Sequence, residues 1–138
     1  MDIDRAWFEE ELLTRFTRYV QVYTTSDRHS ETVPSTRRQL ELTYMLEQEL
    51  RELEVAVEVD DNGYLIARIP ARGNRTDAVP TIGFMAHVDT SPDSSGEGVR
   101  PQLHRAYDGG VIKLSGGVTL DPAEYPALAQ YTGETLIT

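Results

Sequence analysis

The sequence predicts an α/β fold, and three observations predict it. Two stretches, Ala6 to Tyr23 and Thr36 to Leu53, repeat apolar residues every three or four positions, as amphipathic helices do. Between Val55 and Ile69 the apolar residues alternate instead, on either side of Asp60-Asp61-Asn62-Gly63, the pattern of a β-hairpin. Finally, an apolar run opens at Thr81 behind Pro80 and ends in His87-Val88-Asp89, a Ser91-Pro92 break and Asp93. Such a run reads as a buried strand that carries polar groups to its own end, where α/β proteins place their chemistry.

In the first helix, Phe8, Leu12, Phe16, Tyr19 and Tyr23 form the apolar stripe and are expected to anchor the core, with Glu9, Glu10, Arg15 and Arg18 largely elsewhere. Thr24 to Pro34 is polar and reads as a surface loop with His29 exposed. Thr36-Arg37-Arg38-Gln39 matches a capping box, so a second helix should begin there and bury Leu42, Leu46, Leu50 and Leu53. After the hairpin, Pro70 to Pro80 reads as an exposed loop containing Gly73, Asn74 and Asp77.

Beyond Asp93, the Pro, Asp, Ser and Gly residues up to Gly98 predict a turn, and Gly109-Gly110 another before a short strand at Val111 to Leu114. Asp121-Pro122 supplies a cap and a first-turn proline for a short helix to about Gln130, closed by Gly133. Glu134 to Thr138 is β-prone and stops without a turn or polar tail, which reads as a chain cut short.

With 138 residues the chain is one ordinary domain in length, and its 39% hydrophobic and 26% charged residues predict a soluble globular protein. No apolar run approaches a membrane span. A formal charge of -10 repels a phosphate backbone, which argues against nucleic acid as a partner. The acidic start Met1-Asp2-Ile3-Asp4-Arg5 is unlike a secretory signal and predicts a cytoplasmic location. Without cysteine, disulfides, Cys-type zinc sites and thiol nucleophiles are excluded.

His87 and Asp89 are the candidate chemistry. Side chains two apart on a strand share a face, so imidazole and carboxylate should sit together. Neutral imidazole is a good zinc ligand, and a carboxylate on its other ring nitrogen sets the tautomer and raises basicity. A lone His-x-Asp is a weak signal, because zinc normally takes three or four protein ligands, and a merely structural pair has the same spacing. The adjacency of Ser91, His87 and Asp89 argues against a serine triad, since triad members converge from different elements. Gly96 and Gly98 are followed by Pro101, where a dinucleotide fingerprint opens a helix, so that reading fails. His104, beside Arg105, reads as a surface histidine.

Val33-Pro34-Ser35-Thr36, Ile82 through His87-Val88-Asp89-Thr90-Ser91-Pro92-Asp93, Tyr107-Asp108-Gly109-Gly110 and Gly133-Glu134-Thr135-Leu136-Ile137-Thr138 carry a resemblance. In order and spacing, the chain resembles the start of the peptidase T family, cytoplasmic tripeptide aminopeptidases among the co-catalytic zinc exopeptidases. The resemblance implies that His87 ligates one of two zinc ions and that Asp89 is the catalytic carboxylate supporting it. It further implies part of a three-layer α/β/α zinc-exopeptidase catalytic domain with a mixed sheet, residues 1–138 being its N-terminal part. The family's bridging aspartate, general-base glutamate, remaining ligands and lid domain have no counterpart in these residues. The expectation is therefore a piece of a zinc-dependent tripeptidase that binds zinc weakly and does not turn over alone. An unpaired sheet edge, at Thr135 to Thr138 or at the His87 strand, should make it self-associate. The competing expectation is a non-catalytic α/β module that binds a partner through that edge.

Overall fold

The computed structural model describes residues 4–73 and 80–138. They form two compact units, Met1–Val99 and Arg100–Thr138. Helices and short strands occur in the one chain, which bears out the α/β class in its coarse form. The strands make three two-stranded antiparallel sheets.

In the first unit, α1 spans Arg5–Tyr19 and starts on Asp4, whose carboxylate accepts from the backbone N–H groups of Ala6 at 3.0 Å and Trp7 at 3.3 Å. It ends before Tyr23. Gln21 and Val22 bond back only three residues, to Arg18 and Tyr19, so the last turn tightens and the chain leaves the helix. Phe8, Leu12 and Phe16 are about half exposed and so do not form the expected core. Contact with the second helix runs instead through polar groups: Arg15 and Arg18 both pair with Glu49, and the Tyr19 hydroxyl donates to the same carboxylate.

Helix α2 spans Gln39–Glu52 and is entered without the expected capping box. The N–H groups of Gln39, Leu40 and Glu41 are satisfied by the carbonyls of Thr36, Arg37 and Arg38, a tight turn that makes a side-chain cap redundant. Thr36 is then free to donate to the Thr25 carbonyl, and the Gln39 amide to Ser35. Leu42 is buried, Leu46 and Leu50 partly so, and Leu53 is exposed because it already lies past the last turn.

The hairpin is as expected. Strand β1, Ala56–Val59, pairs antiparallel with β2, Leu65–Arg68, with Val59 opposite Leu65. Asp60 organises the turn by accepting from the N–H groups of Asn62 and Tyr64, and Gly63 closes it at φ 82. Of the loop expected after it, Asn74 and Asp77 lie outside the described residues.

The stretch from Thr81 to Asp89 is not a buried strand. Phe84 is 98% exposed and Met85 100%, and among the described residues no strand pairs with this run. An apolar run becomes a buried strand only when neighbours cover its faces and take up its backbone bonds, and the described residues of this unit supply neither. Pairing begins just beyond the run, with a parallel bridge between Thr25 and Thr90.

In the second unit, β3 (Leu103–His104) pairs with β6 (Leu136–Ile137), and β4 (Ile112–Lys113) with β5 (Thr119–Leu120). Leu136–Ile137 thus has a strand partner on one side, and among the described residues no strand lies on its other side. Tyr107 and Ile112 are buried. Asp121 caps a turn as expected, accepting from the Ala123 N–H at 2.8 Å, but no α-helix follows. Pro126 lacks an N–H and drives Tyr125 out of the helical region (φ -121, ψ 73), so the segment restarts as a 3-10 helix over Pro126–Tyr131. Gly133, at φ 89, ends it.

Candidate functional site

His87 and Asp89 are brought together although the strand that was to align them is absent. His87 Nδ1 lies 3.0 Å from Asp89 Oδ1. A carboxylate can only accept, so Nδ1–H is the donor and Nε2 keeps its lone pair for another group. The imidazole is 83% exposed and the carboxylate 38%, so Nε2 is open to solvent while its partner is half sheltered.

The pair is held from its C-terminal side. The Ser26 N–H donates to the Thr90 carbonyl at 3.0 Å, and the Ser26 hydroxyl reaches the same oxygen at 3.0 Å. Thr90 N–H returns a longer bond, 3.4 Å, to the Thr24 carbonyl. Thr24 and Thr25 are buried, and the Thr25 carbonyl also receives the Thr36 hydroxyl, which ties this strip to the entry of α2. Thr25 Oγ1 shares a hydrogen bond with Thr90 Oγ1 at 3.1 Å and accepts from the Gly96 N–H at 3.0 Å. One hydroxyl therefore closes the turn that follows Asp89. Gly96 is required there: a Cβ would stand 2.7 Å from Thr25 Oγ1.

The same turn gathers Asp93. The Ser91 hydroxyl donates to its Oδ2 at 2.8 Å and Arg28 to its Oδ1, and these two bonds, Ser91 first, hold the carboxyl below its ordinary range. Ser91 is thus engaged with Asp93 rather than with His87. Among the described residues, no three His, Cys, Asp or Glu side chains converge as a metal-binding group. The donor set fits part of a zinc site: one imidazole nitrogen, oriented by a carboxylate, with Asp89 behind it.

His104 differs from its expectation as an exposed histidine. It is partly buried, and its Nε2 lies 3.0 Å from the Thr138 hydroxyl, across the β3–β6 pair. A hollow of ≈ 540 Å³ lies in this second unit, lined by residues from Leu103 to Lys113, and contains neither candidate residue. The threonine staple carries no sequence signal, because Thr25 and Gly96 lie in loop and turn segments 71 residues apart.

No protein-family model matches the chain. Individual relatives do. A protein of Geobacillus thermodenitrificans named Peptidase T is 48% identical over 133 residues, 94% of this chain. Peptidase T of Listeria welshimeri is likewise 48% identical over 133 residues, and that of Clostridium acetobutylicum 47% over 132. The chain resembles peptidase T. It spans about a third, 32%, of the length of these peptidase T relatives, in keeping with a match to part of that family's chain. The relatives are peptidases by name. No helix among the described residues is long and apolar enough to cross a membrane.

Proposed function

We propose that this chain is the N-terminal part of a cytoplasmic zinc-dependent tripeptide aminopeptidase, built on a three-layer α/β/α catalytic domain, and that it supplies His87 and Asp89 to the metal centre. The observation that carries the reading is the 3.0 Å contact between His87 Nδ1 and Asp89 Oδ1 with Nε2 facing solvent, in a chain 48% identical to proteins named Peptidase T.

His87 would hold zinc through Nε2. Asp89 accepts the hydrogen bond from Nδ1–H and so keeps the ring in the tautomer that can ligate. When bound, zinc lowers the pKa of a coordinated water and polarises the scissile carbonyl of the peptide. These two residues position and tune; they do not by themselves complete a site, since zinc centres take three or more protein ligands. The isolated chain is accordingly expected to bind zinc weakly and to release no amino acid from a tripeptide.

The test is release of the N-terminal residue from a simple tripeptide with and without zinc, beside His87→Ala, together with a zinc titration. Weak binding lost in His87→Ala, without turnover, is the expected result. Zinc binding that survives His87→Ala would remove the basis of the proposal.

A second reading, the partner-binding module, draws on the exposure of Ile82, Phe84 and Met85. On that reading His87→Ala leaves partner binding unchanged.

A further inference from the structure

We infer that Thr25 is a positioning residue for the His87–Asp89 pair, acting through a hydroxyl staple that closes the turn from Thr90 to Gly96. The inference rests on the zinc-site reading above for its functional consequence, but its geometry stands without it.

The argument begins with what holds Asp89. Among the described residues after Pro80, the first backbone hydrogen bonds are those of Thr90. The residues before it are largely exposed, so the orientation of His87 and Asp89 depends on how firmly the next residue is placed. Thr90 is placed by both its backbone groups and its side chain, and among the described residues its partners lie in Thr24, Thr25 and Ser26.

Thr25 is the one whose side chain reaches both ends of the turn. It is 7% exposed, and its Oγ1 joins Thr90 Oγ1 at 3.1 Å to the Gly96 N–H at 3.0 Å. A β-branched side chain in a buried position has little rotamer freedom, so the hydroxyl is a fixed point rather than a passing contact. The turn is built around it, since Gly96 leaves no room for a Cβ against the same oxygen. With the hydroxyl removed, the Gly96 N–H loses its partner and Thr90 keeps only its backbone bonds. The turn then opens, and Asp89 is no longer held at hydrogen-bond distance from His87.

The experiment compares the chain with Thr25→Val, which keeps the shape and loses the hydroxyl, and Thr25→Ser, which keeps the hydroxyl. Two quantities are read by NMR at one fixed neutral pH. One is the tautomer of His87 without metal, from its ring nitrogen shifts. The other is the response of His87 to added zinc, with His29 and His104 as internal controls, these being the three histidines of the chain. Backbone signals of the β1–β2 hairpin report that the unit remains folded.

The expected result is a clear Nδ1–H preference at His87 in the parent and in Thr25→Ser. In Thr25→Val that preference is lost and zinc affinity at His87 falls about tenfold, the scale found for residues that orient a metal ligand. An unchanged tautomer and zinc response in Thr25→Val overturn the inference, as does equal loss in both variants. If the parent shows no zinc response yet its tautomer preference follows the Thr25 hydroxyl, the zinc reading fails and the positioning role stands. Should Thr25→Val lose the hairpin signals, Thr90→Val breaks the hydroxyl–hydroxyl bond from the other side while the Gly96 N–H keeps its partner, and an unchanged His87 tautomer there overturns the inference.

Discussion

Thr25 and Thr90, 65 residues apart, meet hydroxyl to hydroxyl at 3.1 Å and form a parallel bridge. This is the point at which the segment after α1 reaches the segment carrying His87 and Asp89. Strand alternation was expected to bring those two side chains together; they are held instead by a bridge at the next residue.

The first prediction concerns the pair. Asp89→Asn can still accept a hydrogen bond through its amide oxygen but no longer places a negative charge beside the ring. Zinc affinity at His87 should fall by roughly 10- to 100-fold. Titration calorimetry beside the parent chain checks it, and equal affinities would contradict it.

A second prediction follows from Gly96. Its missing Cβ would meet Thr25 Oγ1 at 2.7 Å and Thr90 Oγ1 at 3.1 Å, and the buried Thr25 cannot swing aside. Gly96→Ala should lower the urea midpoint by an amount equivalent to about 1–3 kcal/mol, the usual cost of overpacking. Gly116→Ala, where a Cβ meets nothing within 4 Å but φ is 73, provides a comparison in which any loss comes from backbone strain alone.

The third concerns the joint between the helices. Glu49 is 13% exposed in its side chain and serves Arg15, Arg18 and the Tyr19 hydroxyl at once. The arginines are more than a third exposed, so solvent screens their share. Glu49→Ala should cost about 1–2 kcal/mol, mostly from the partners left unpaired, and should release α1 before the hairpin in hydrogen exchange. Simultaneous loss of both would count against it.

The fourth is a pH dependence in the second unit. Burial pushes the Tyr107 phenol above its ordinary value of 10.0, and the carboxylates of Asp108 and Asp121 push the same way. The folded form therefore holds the proton more tightly than the unfolded one. Stability from this group is fully present below pH 10.0 and is lost as pH rises through the higher folded value. The hydroxyl also donates to the Gly110 carbonyl at 2.5 Å, so Tyr107→Phe should be less stable at neutral pH yet show a weaker alkaline decline. Phenolate absorbance followed with circular dichroism tests both halves.

The fifth concerns association. Phe84 and Met85 are fully open to solvent within a run that has no strand partner among the described residues. The chain should self-associate at high concentration, and Phe84→Glu should reduce this by adding charge to the run. Sedimentation that finds the parent monomeric throughout would count against it.

Local chemistry was legible from the residues themselves. The β1–β2 hairpin follows from valine alternation and from Asp60 and Gly63, because such turns are decided within a few bonds of chain. The resemblance to peptidase T was likewise carried by short strings such as His87 to Asp93, and the relatives bear it out. That His87 and Asp89 lie close together was legible from their spacing, although not what holds them there.

What the sequence alone did not decide was whatever depends on a distant neighbour. Phe8, Leu12 and Phe16 have the periodicity of a core stripe, but periodicity names a face and does not supply its cover. The run from Thr81 has the composition of a buried strand, and among the described residues it has no ladder to join. Pro126 defeated the helix that Asp121 could cap, through a restriction on the residue before it. Nothing in the sequence joins Thr25 to Thr90 and Gly96, and only the folded chain sets one hydroxyl between the other two. Hydrogen bonds reach about 3 Å, and which groups come within that reach across dozens of residues is settled by tertiary structure.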